Sequence, residues 1–432
     1  MFVSDCLGVN EKGHLTIGGM DTVRLAQQYG TPLYVMDEQE IRKNCRAFTG
    51  GINKYYAGKG HVAFACKAFC CKEICRIADS EGLWLDVVSG GEMHTALSAG
   101  FPSQRLIMHG NNKPPVELAA AVEAGVGRIV VDNMFELELL DQLAKASGNR
   151  TKIQLRVKPG VDAHTHNSIR TGQIDSKFGF ALETGEAMQA VEKSLSLPNL
   201  ELAGLHCHIG SQIFDVAAFG EAARVMVNFT AKIKVDLGYE IQELNLGGGF
   251  GIKYLPEQAF APYESYMETV SKIVFETCNK HGIDVPVIIL EPGRAIAGPA
   301  GITLYTIGAV KEIPNIRTYV TVDGGMTDNP RYILYGSKYE MLLAARAQAP
   351  KTKGYTVAGR CCESGDLLGL DVPLPAPNVG DIMAVLATGA YNYAMASHYN
   401  RLPNPAVIMV SDGNARVIVK RESYEDLTRN DV

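Results

Sequence analysis

From about residue 60 the chain alternates short apolar runs, rich in β-branched and aromatic residues, with longer segments whose apolar positions recur at helical spacing. The runs "HVAFACK", "WLDVVS", "RLIMHG", "RIVVDN", "KIQLRVK", "LAGLHCHIG", "ELNLGGGF" and "VIILEPG" predict strands. Between them, "PVELAAAVEAGV", "MFELELLDQLAKA" and "YESYMETVSKIVFETCNKHG" predict helices. Eight strands each paired with a helix predict a (β/α)8 TIM barrel, with a doubly wound open sheet as the competing α/β arrangement. After about residue 296 the pattern changes to strands and turns: "GITLYTIGAV", "RTYVTVDGG", "KGYTVAG", "DIMAVLATGA" and "AVIMVSDGNARVIVK". Asp412-Gly413 lies between two apolar runs, a hairpin signal, and the region reads as a mainly antiparallel β domain.

A chain of 432 residues exceeds one ordinary core, so two domains are expected. An apolar fraction of 46% with 20% charged residues describes a soluble globular protein. The formal charge of −6 gives no electrostatic reason for binding nucleic acid or anionic membranes. The first residues show no basic stretch followed by an apolar one, and no later segment is apolar for long enough to span a bilayer, so the cytoplasm is the expected compartment. Ten cysteines change little: Cys66, Cys70, Cys71 and Cys75 crowd one segment without a C-x-x-C pair and the rest are scattered, which suits reduced thiols.

Lys67 ends the first run, where a buried strand is expected. A strand that surfaces leaves its last residue in water, the common fate of a lysine. A lysine against an apolar wall is instead a nucleophile able to form a Schiff base. In a (β/α)8 barrel, chemistry sits at the C-terminal ends of the strands, and phosphate is often held after strands seven and eight. Here the seventh run leads into Gly247-Gly248-Gly249-Phe250-Gly251 and the eighth into Glu291-Pro292-Gly293-Arg294. Glycines let backbone N–H groups approach phosphate oxygens, and arginine adds a charge-assisted fork. A tight turn would use the same glycines, but their place on this rim favours phosphate. The stretch matches neither the P-loop nor the dinucleotide fingerprint, so neither nucleotide class follows.

His206 and His208 alternate on the sixth run, which predicts side chains on one face. They read as core histidines, as zinc ligands, or as a source of one flat ring lying against a cofactor, with Ser211 donating to its phosphate. An amine, a phosphate cradle, a carboxylate and a flat side chain on one rim are the parts that hold pyridoxal phosphate, with Glu291 keeping the pyridine nitrogen protonated.

The ordered motifs "FACKAF", "LDVVSGGEM", "SKFGF", "HCHIGSQ", "LNLGGGFG", "LEPGR", "VDGGMTDNPRYILYG", "CCESGD" and "TGAYNYAMAS" span nearly the whole chain. In them the sequence resembles the diaminopimelate decarboxylase family, within the alanine-racemase-like, fold type III class of pyridoxal phosphate-dependent decarboxylases. The resemblance implies a cofactor-binding barrel over 40–295. It also implies a β-sandwich or β-barrel domain over 1–39 and 296–432, to which the N-terminal residues lend a strand. Lys67 would be the Schiff-base lysine and His208 the residue stacked on the ring. Asp86, Ser211, Gly248, Gly249, Glu291 and Gly293 would be further cofactor contacts, joined by Arg294 and Tyr391. Arg294, Arg331, Tyr335, Glu363 and Tyr391 resemble substrate ligands. Cys362 resembles the proton donor, supplied with Glu363 by the other subunit of a homodimer whose active site is shared across the interface.

Elementary chemistry supports these roles: a second amino-carboxylate on the substrate needs a cationic fork and an acceptor, which Arg331 and Glu363 can supply. Outside this context Arg331 and Tyr335 would read as a surface ion pair and a packed aromatic, and Cys362 as a small buried hydrophobe. Two positions depart from the common pattern: Ala68-Phe69 stands where Ala-Asn is frequent, and Cys361 where histidine is frequent.

The implied reaction is decarboxylation of meso-2,6-diaminopimelate to L-lysine and carbon dioxide, the last step of lysine biosynthesis, with a small amino acid as the only partner besides a second copy. One rival is a decarboxylase for ornithine, arginine, a D-amino acid or carboxynorspermidine; relatives acting on a terminal amine tend to carry aspartate where this chain has Glu363. A zinc hydrolase built on His164/His166 and His206/His208 would leave Lys67 and "EPGR" without a role. A non-catalytic cofactor-binding relative would lack the lysine, the cysteine or a phosphate ligand, and this chain has them all. The polar, glycine-bearing stretch 162–180 is predicted to include a mobile lid.

Overall fold

The computed structural model describes residues 2–161 and 175–432. Two compact units divide the chain: Asn44–Gly251 with Phe260–Gly293, and Met1–Lys43 with Ile252–Ala259 and Arg294–Val432.

In the first unit eight parallel strands close into a barrel. In chain order they are Gly60–Ala65, Trp84–Val87, Leu106–Met108, Arg128–Val131, Thr151–Lys158, Leu200–His206, Glu243–Asn245 and Val287–Leu290. Each lies within a run read from the sequence or overlaps it. The last strand returns to the first, pairing Ile288 with Gly60, so the open-sheet alternative falls. Barrel strands are covered on both faces and therefore read as near-continuous apolar runs. Ala63, Ile107, Val130 and Ile289, at most 1% exposed, form a buried cluster against which Trp84 packs.

A helix follows each of the first seven strands. Ser89 and Asn133 begin Gly90–Ser98 and Met134–Ser147 by accepting the backbone N–H of Glu92 and Glu136, as small polar residues do at helix N-termini. Gly282 ends Tyr263–His281 with φ of 61°, a left-handed stop open to glycine. Strand ends and helix starts therefore meet in short, defined loops, and those loops carry the candidate chemistry.

In the second unit a strand from the N-terminal residues, Leu33–Asp37, pairs antiparallel with Gly301–Ile313 and parallel with Ala406–Ser411. The Asp412-Gly413 hairpin forms between Ala406–Ser411 and Asn414–Val419, with φ of 50° and 74° at the two turn residues, the signature of a type I′ turn. The expectation of a mainly antiparallel domain holds, with two parallel pairings set into the sheet among the described residues. Arg317–Val322 and Lys353–Ala358 run parallel. The intervening chain, carrying the short helix Arg331–Tyr335 and the strand Met341–Leu343, supplies the long crossover that parallel pairing needs. Ile252–Ala259, which the sequence reading placed with the barrel, packs in this unit, where Tyr254 accepts the backbone N–H of Glu340 at 3.2 Å.

Candidate active site

Lys67 sits in a single tight turn, Cys66–Ala68, directly after the first barrel strand. Its neighbours Cys66 and Ala68 are buried while Lys67 itself is exposed. It lines a cavity of about 360 Å³ at the strand ends, together with Asp86, His109, Arg156, His208 and Glu291. That volume suits a small organic ligand.

Glu291 follows the eighth strand and is 6% exposed. Its Oε1 accepts from His109 Nε2 at 2.8 Å and Asn245 Nδ2 at 2.6 Å, and its Oε2 accepts from His206 Nε2 at 3.2 Å. Burial alone would raise its pKa, but the two imidazoles and their hydrogen bonds hold it well below the usual carboxylate range. Burial pushes His206 down to about 3, so this ring donates from Nε2 as a neutral imidazole. Asp86, on the second strand, is 2% exposed; burial raises its pKa and its Oδ1 accepts no hydrogen bond. Two neighbouring carboxyl groups are thus driven apart in acidity, the pattern of groups with different tasks.

The sixth strand ends at His206, and His208 lies beyond it. His208 Nδ1 accepts the Gly248 N–H at 3.2 Å. Desolvation, then the charges of Lys67 and Arg156, lower its pKa well below the ordinary value, which leaves a flat neutral ring with its proton on Nε2. The two histidines therefore serve different partners. Ser211 follows on the same segment, which is tied to the glycine loop where Ile213 N–H donates to Gly249 O at 2.9 Å.

The glycines are required by close approach. A Cβ at Gly248 would lie 2.1 Å from the carbonyl oxygen of Glu291, and one at Gly249, where φ is 108°, would lie 2.3 Å from that of Gly210. At Gly293 a Cβ would meet Ala65 Cβ at 2.9 Å, beside the turn that carries Lys67.

The second unit gathers a different set. Arg294 is 6% exposed, donates to the Tyr254 hydroxyl and lies 4.5 Å from the centroid of the Tyr391 ring. Burial would lower its pKa, but Tyr254 and Tyr391 raise it, so it stays cationic. Arg331 is 7% exposed and stands 5.0 Å from the Tyr335 ring and 5.5 Å from that of Tyr391. Its Nε has no hydrogen-bond partner among the described residues, so it is not a surface ion pair. Cys362 is exposed, not a buried hydrophobe, and its N–H donates to Asn400 Oδ1 at 2.7 Å; Glu363 beside it is also exposed. Burial and the Asp366 charge push Cys361 up to about 11, so this neighbour stays a protonated thiol rather than competing as a thiolate.

The residues present fit pyridoxal phosphate: a lysine amine, a neutral flat ring, an ionised buried carboxylate and the unbonded Asp86 oxygen all belong to the wall of one cavity. His109, His206 and Glu291 also bring potential metal-ligand atoms within 4.8 Å of one another, but the hydrogen bonds to Glu291 account for that grouping. His164/His166 of the zinc reading and most of the expected lid, 162–174, lie outside the described residues. Sequence reasoning missed His109, Arg156 and Asn245. His109 and Asn245 stand at strand ends as His206 does, and Arg156 is a charged residue inside a barrel strand, so a polar residue in or just after a buried strand was the available signal.

Residues 38–298 match the model of the "Pyridoxal-dependent decarboxylase, pyridoxal binding domain" family. The chain is 47% identical to a diaminopimelate decarboxylase of Bacillus subtilis, covering 100% of this chain and 98% of the relative. It is 49% identical to that of Bacillus methanolicus, covering 98% of each. A crystal structure of diaminopimelate decarboxylase from M. jannaschii in complex with L-lysine aligns with a TM-score of 0.92 at 33% identity, over 100% of this chain and 99% of the other. A barrel presenting Lys67, a neutral His208 and an ionised Glu291 to one cavity, in a sequence matched from end to end, belongs to the diaminopimelate decarboxylase family of pyridoxal-dependent decarboxylases.

Proposed function

We infer that this protein converts meso-2,6-diaminopimelate to L-lysine and carbon dioxide with pyridoxal phosphate as cofactor, the last step of lysine biosynthesis. The observation that carries the reading is the buried Glu291 carboxylate, kept ionised by His109, His206 and Asn245 in the cavity that Lys67 lines. When bound, pyridoxal phosphate supplies an electron sink for the bonding pair left behind as carbon dioxide departs.

The residues have these tasks. Lys67 anchors the cofactor through its amine, and Glu291 keeps the ring nitrogen protonated because its own pKa is low. His208 covers the ring with a neutral flat face. Ser211, Gly249, Arg294 and Tyr391 serve the phosphate, while Gly248 and Gly293 let the loops close on one another. Arg331, set among tyrosines rather than carboxylates, keeps its charge available for the distal carboxylate of the substrate. Cys362 returns a proton to the carbon that has lost carbon dioxide. The exposure of Cys362 and Glu363 supports a homodimer in which each subunit lends this pair to the other. Ten cysteines, all outside disulfides, support the cytoplasm, a reducing compartment.

The test is lysine formation from meso-diaminopimelate by protein supplied with pyridoxal phosphate, beside ornithine, arginine and D-lysine. Preference for meso-diaminopimelate is expected. Activity on another amino acid alone would overturn the substrate while leaving Lys67 in place, and cofactor binding without turnover of any would favour a non-catalytic relative.

A further inference from the structure

One line of side-chain hydrogen bonds runs through the barrel from one end to the other. Arg128 opens the fourth strand and Glu243 the seventh, so both stand at the N-terminal end, whereas Glu291 follows the end of the eighth. Arg128 Nε donates to Glu243 Oε2 at 2.8 Å, and its Nη2 completes the fork on Oε1. Gln154 Nε2 donates to the same Oε2 at 2.9 Å. Gln154 Oε1 accepts from Asn245 Nδ2 at 3.2 Å, and Asn245 Nδ2 also donates to Glu291 Oε1 at 2.6 Å. Asn245 Oδ1 accepts the Gly247 N–H at 3.0 Å. Gln154 and Asn245 are both 0% exposed.

An amide side chain donates at one end and accepts at the other, and its hydrogen-bond partners decide which way it faces. Glu243, ionised by its pairing with Arg128, can only accept, so Gln154 must turn its NH2 toward it. The oxygen of Gln154 then faces Asn245, which must answer with its own NH2. The second hydrogen of that NH2 goes to Glu291 and the oxygen to Gly247. Orientation is therefore dictated in sequence from the Arg128–Glu243 pair to the rim.

We propose that Asn245 is a positioning residue for Glu291 and for the Gly247 turn, held in one orientation from the far end of the barrel by Arg128, Glu243 and Gln154. This rests on the reading of Glu291 as the partner of the cofactor's ring nitrogen. One amide thereby fixes both the carboxylate that faces the ring and the first residue of the glycine loop that faces the phosphate.

Asn245→Asp tests it with almost no change of shape. It replaces the donor 2.6 Å from Glu291 Oε1 by an acceptor, and two carboxylates that close cannot both ionise. A proton held between them weakens the grip of Glu291 on the ring nitrogen. Gln154→Met keeps side-chain length and removes both ends of the relay. Three quantities are measured: pyridoxal phosphate affinity by titration of apoprotein, the absorbance maximum of the bound cofactor, and the melting temperature. Asn245→Asp should bind pyridoxal phosphate about tenfold more weakly or worse, the equivalent of one pKa unit at Glu291, with a shifted absorbance maximum. Gln154→Met should move both in the same direction by less. If Asn245→Asp does not fold, Gln154→Met decides alone. Folded variants with unchanged affinity and absorbance overturn the positioning role. Glu291→Gln, measured beside them, separates the two ideas. If it too changes nothing, the reading of Glu291 falls and the proposal with it; if it changes both quantities while the other variants do not, the positioning role alone falls.

Discussion

Lys113→Met should unfold the barrel more easily, and the structure sets the size of the effect. The Lys113 side chain is 1% exposed and its Nζ lies 2.7 Å from Glu136, itself 4% exposed. The same ammonium donates to Gly110 O at 2.7 Å and Val130 O at 2.9 Å, fixing the loop whose Gly110, Asn111 and Asn112 line the candidate cavity. Removing one member of a buried pair strands the other charge, at a cost of about 3–5 kcal/mol. The double variant Lys113→Met/Glu136→Leu removes that charge too, and should be left about 1–3 kcal/mol below the parent for the two carbonyls short of a donor. The deficit of the single variant also depends on pH. Burial pushes Glu136 up to about 7 even with Lys113 beside it, and without the ammonium its folded pKa rises further. A carboxyl with a raised folded pKa binds its proton more tightly folded than unfolded, so its contribution is most favourable below the unfolded value of about 4.3 and is lost as pH rises through the folded value. The gap between variant and parent should therefore be widest near pH 8 and narrow toward pH 5.5. Urea unfolding followed by the single tryptophan, Trp84 on the second barrel strand, reads this unit directly. A single variant within about 1 kcal/mol of the parent at pH 8, or a double variant less stable than the single one, would refute the reasoning.

Lys67→Ala should abolish turnover, and borohydride reduction of the parent with bound cofactor should mark the peptide that carries Lys67; mass spectrometry finding the mark on another lysine would remove it from its role. Arg331→Met should raise KM for meso-diaminopimelate roughly 10- to 150-fold, the range for losing one charged hydrogen bond, with pyridoxal phosphate affinity unchanged. Steady-state kinetics with an unmoved KM would count against the distal-carboxylate contact. Lys67→Ala and Cys362→Ala proteins, each inactive alone, should recover about a quarter of parental activity after dissociation and random reassociation, because a mixed dimer holds one intact site. A mixture that stays inactive while mixed dimers form would place Cys362 in its own subunit's site.

Much of the fold is written in local pattern. Eight buried strands read as apolar runs because a barrel covers both of their faces, and Asp412-Gly413 announces its hairpin because few residue pairs accept two positive φ angles. The candidate site was legible wherever its chemistry falls at a strand end in an unusual residue type, as with Lys67, His208, Gly249 and Glu291. Gln154 was not, since a glutamine in a strand carries no sign of the partners that make it useful. The same holds for the turn of Ile252–Ala259 toward the second unit, which follows the glycine loop without a break in composition.

The sequence by itself determined the barrel, the type of chemistry and the groups that bring it, because residue type and period-two or helical spacing are local properties. The tertiary structure alone decided how those groups are charged and aimed. Glu291 is acidic because two histidines and an asparagine from three other strand ends converge on it, His208 is neutral because Gly248 donates to one nitrogen while burial and nearby cations disfavour a proton on the ring, and Cys361 stays a thiol because Asp366 lies beside it. Such properties depend on distance through space, and distance between residues far apart in sequence exists only after the chain has folded.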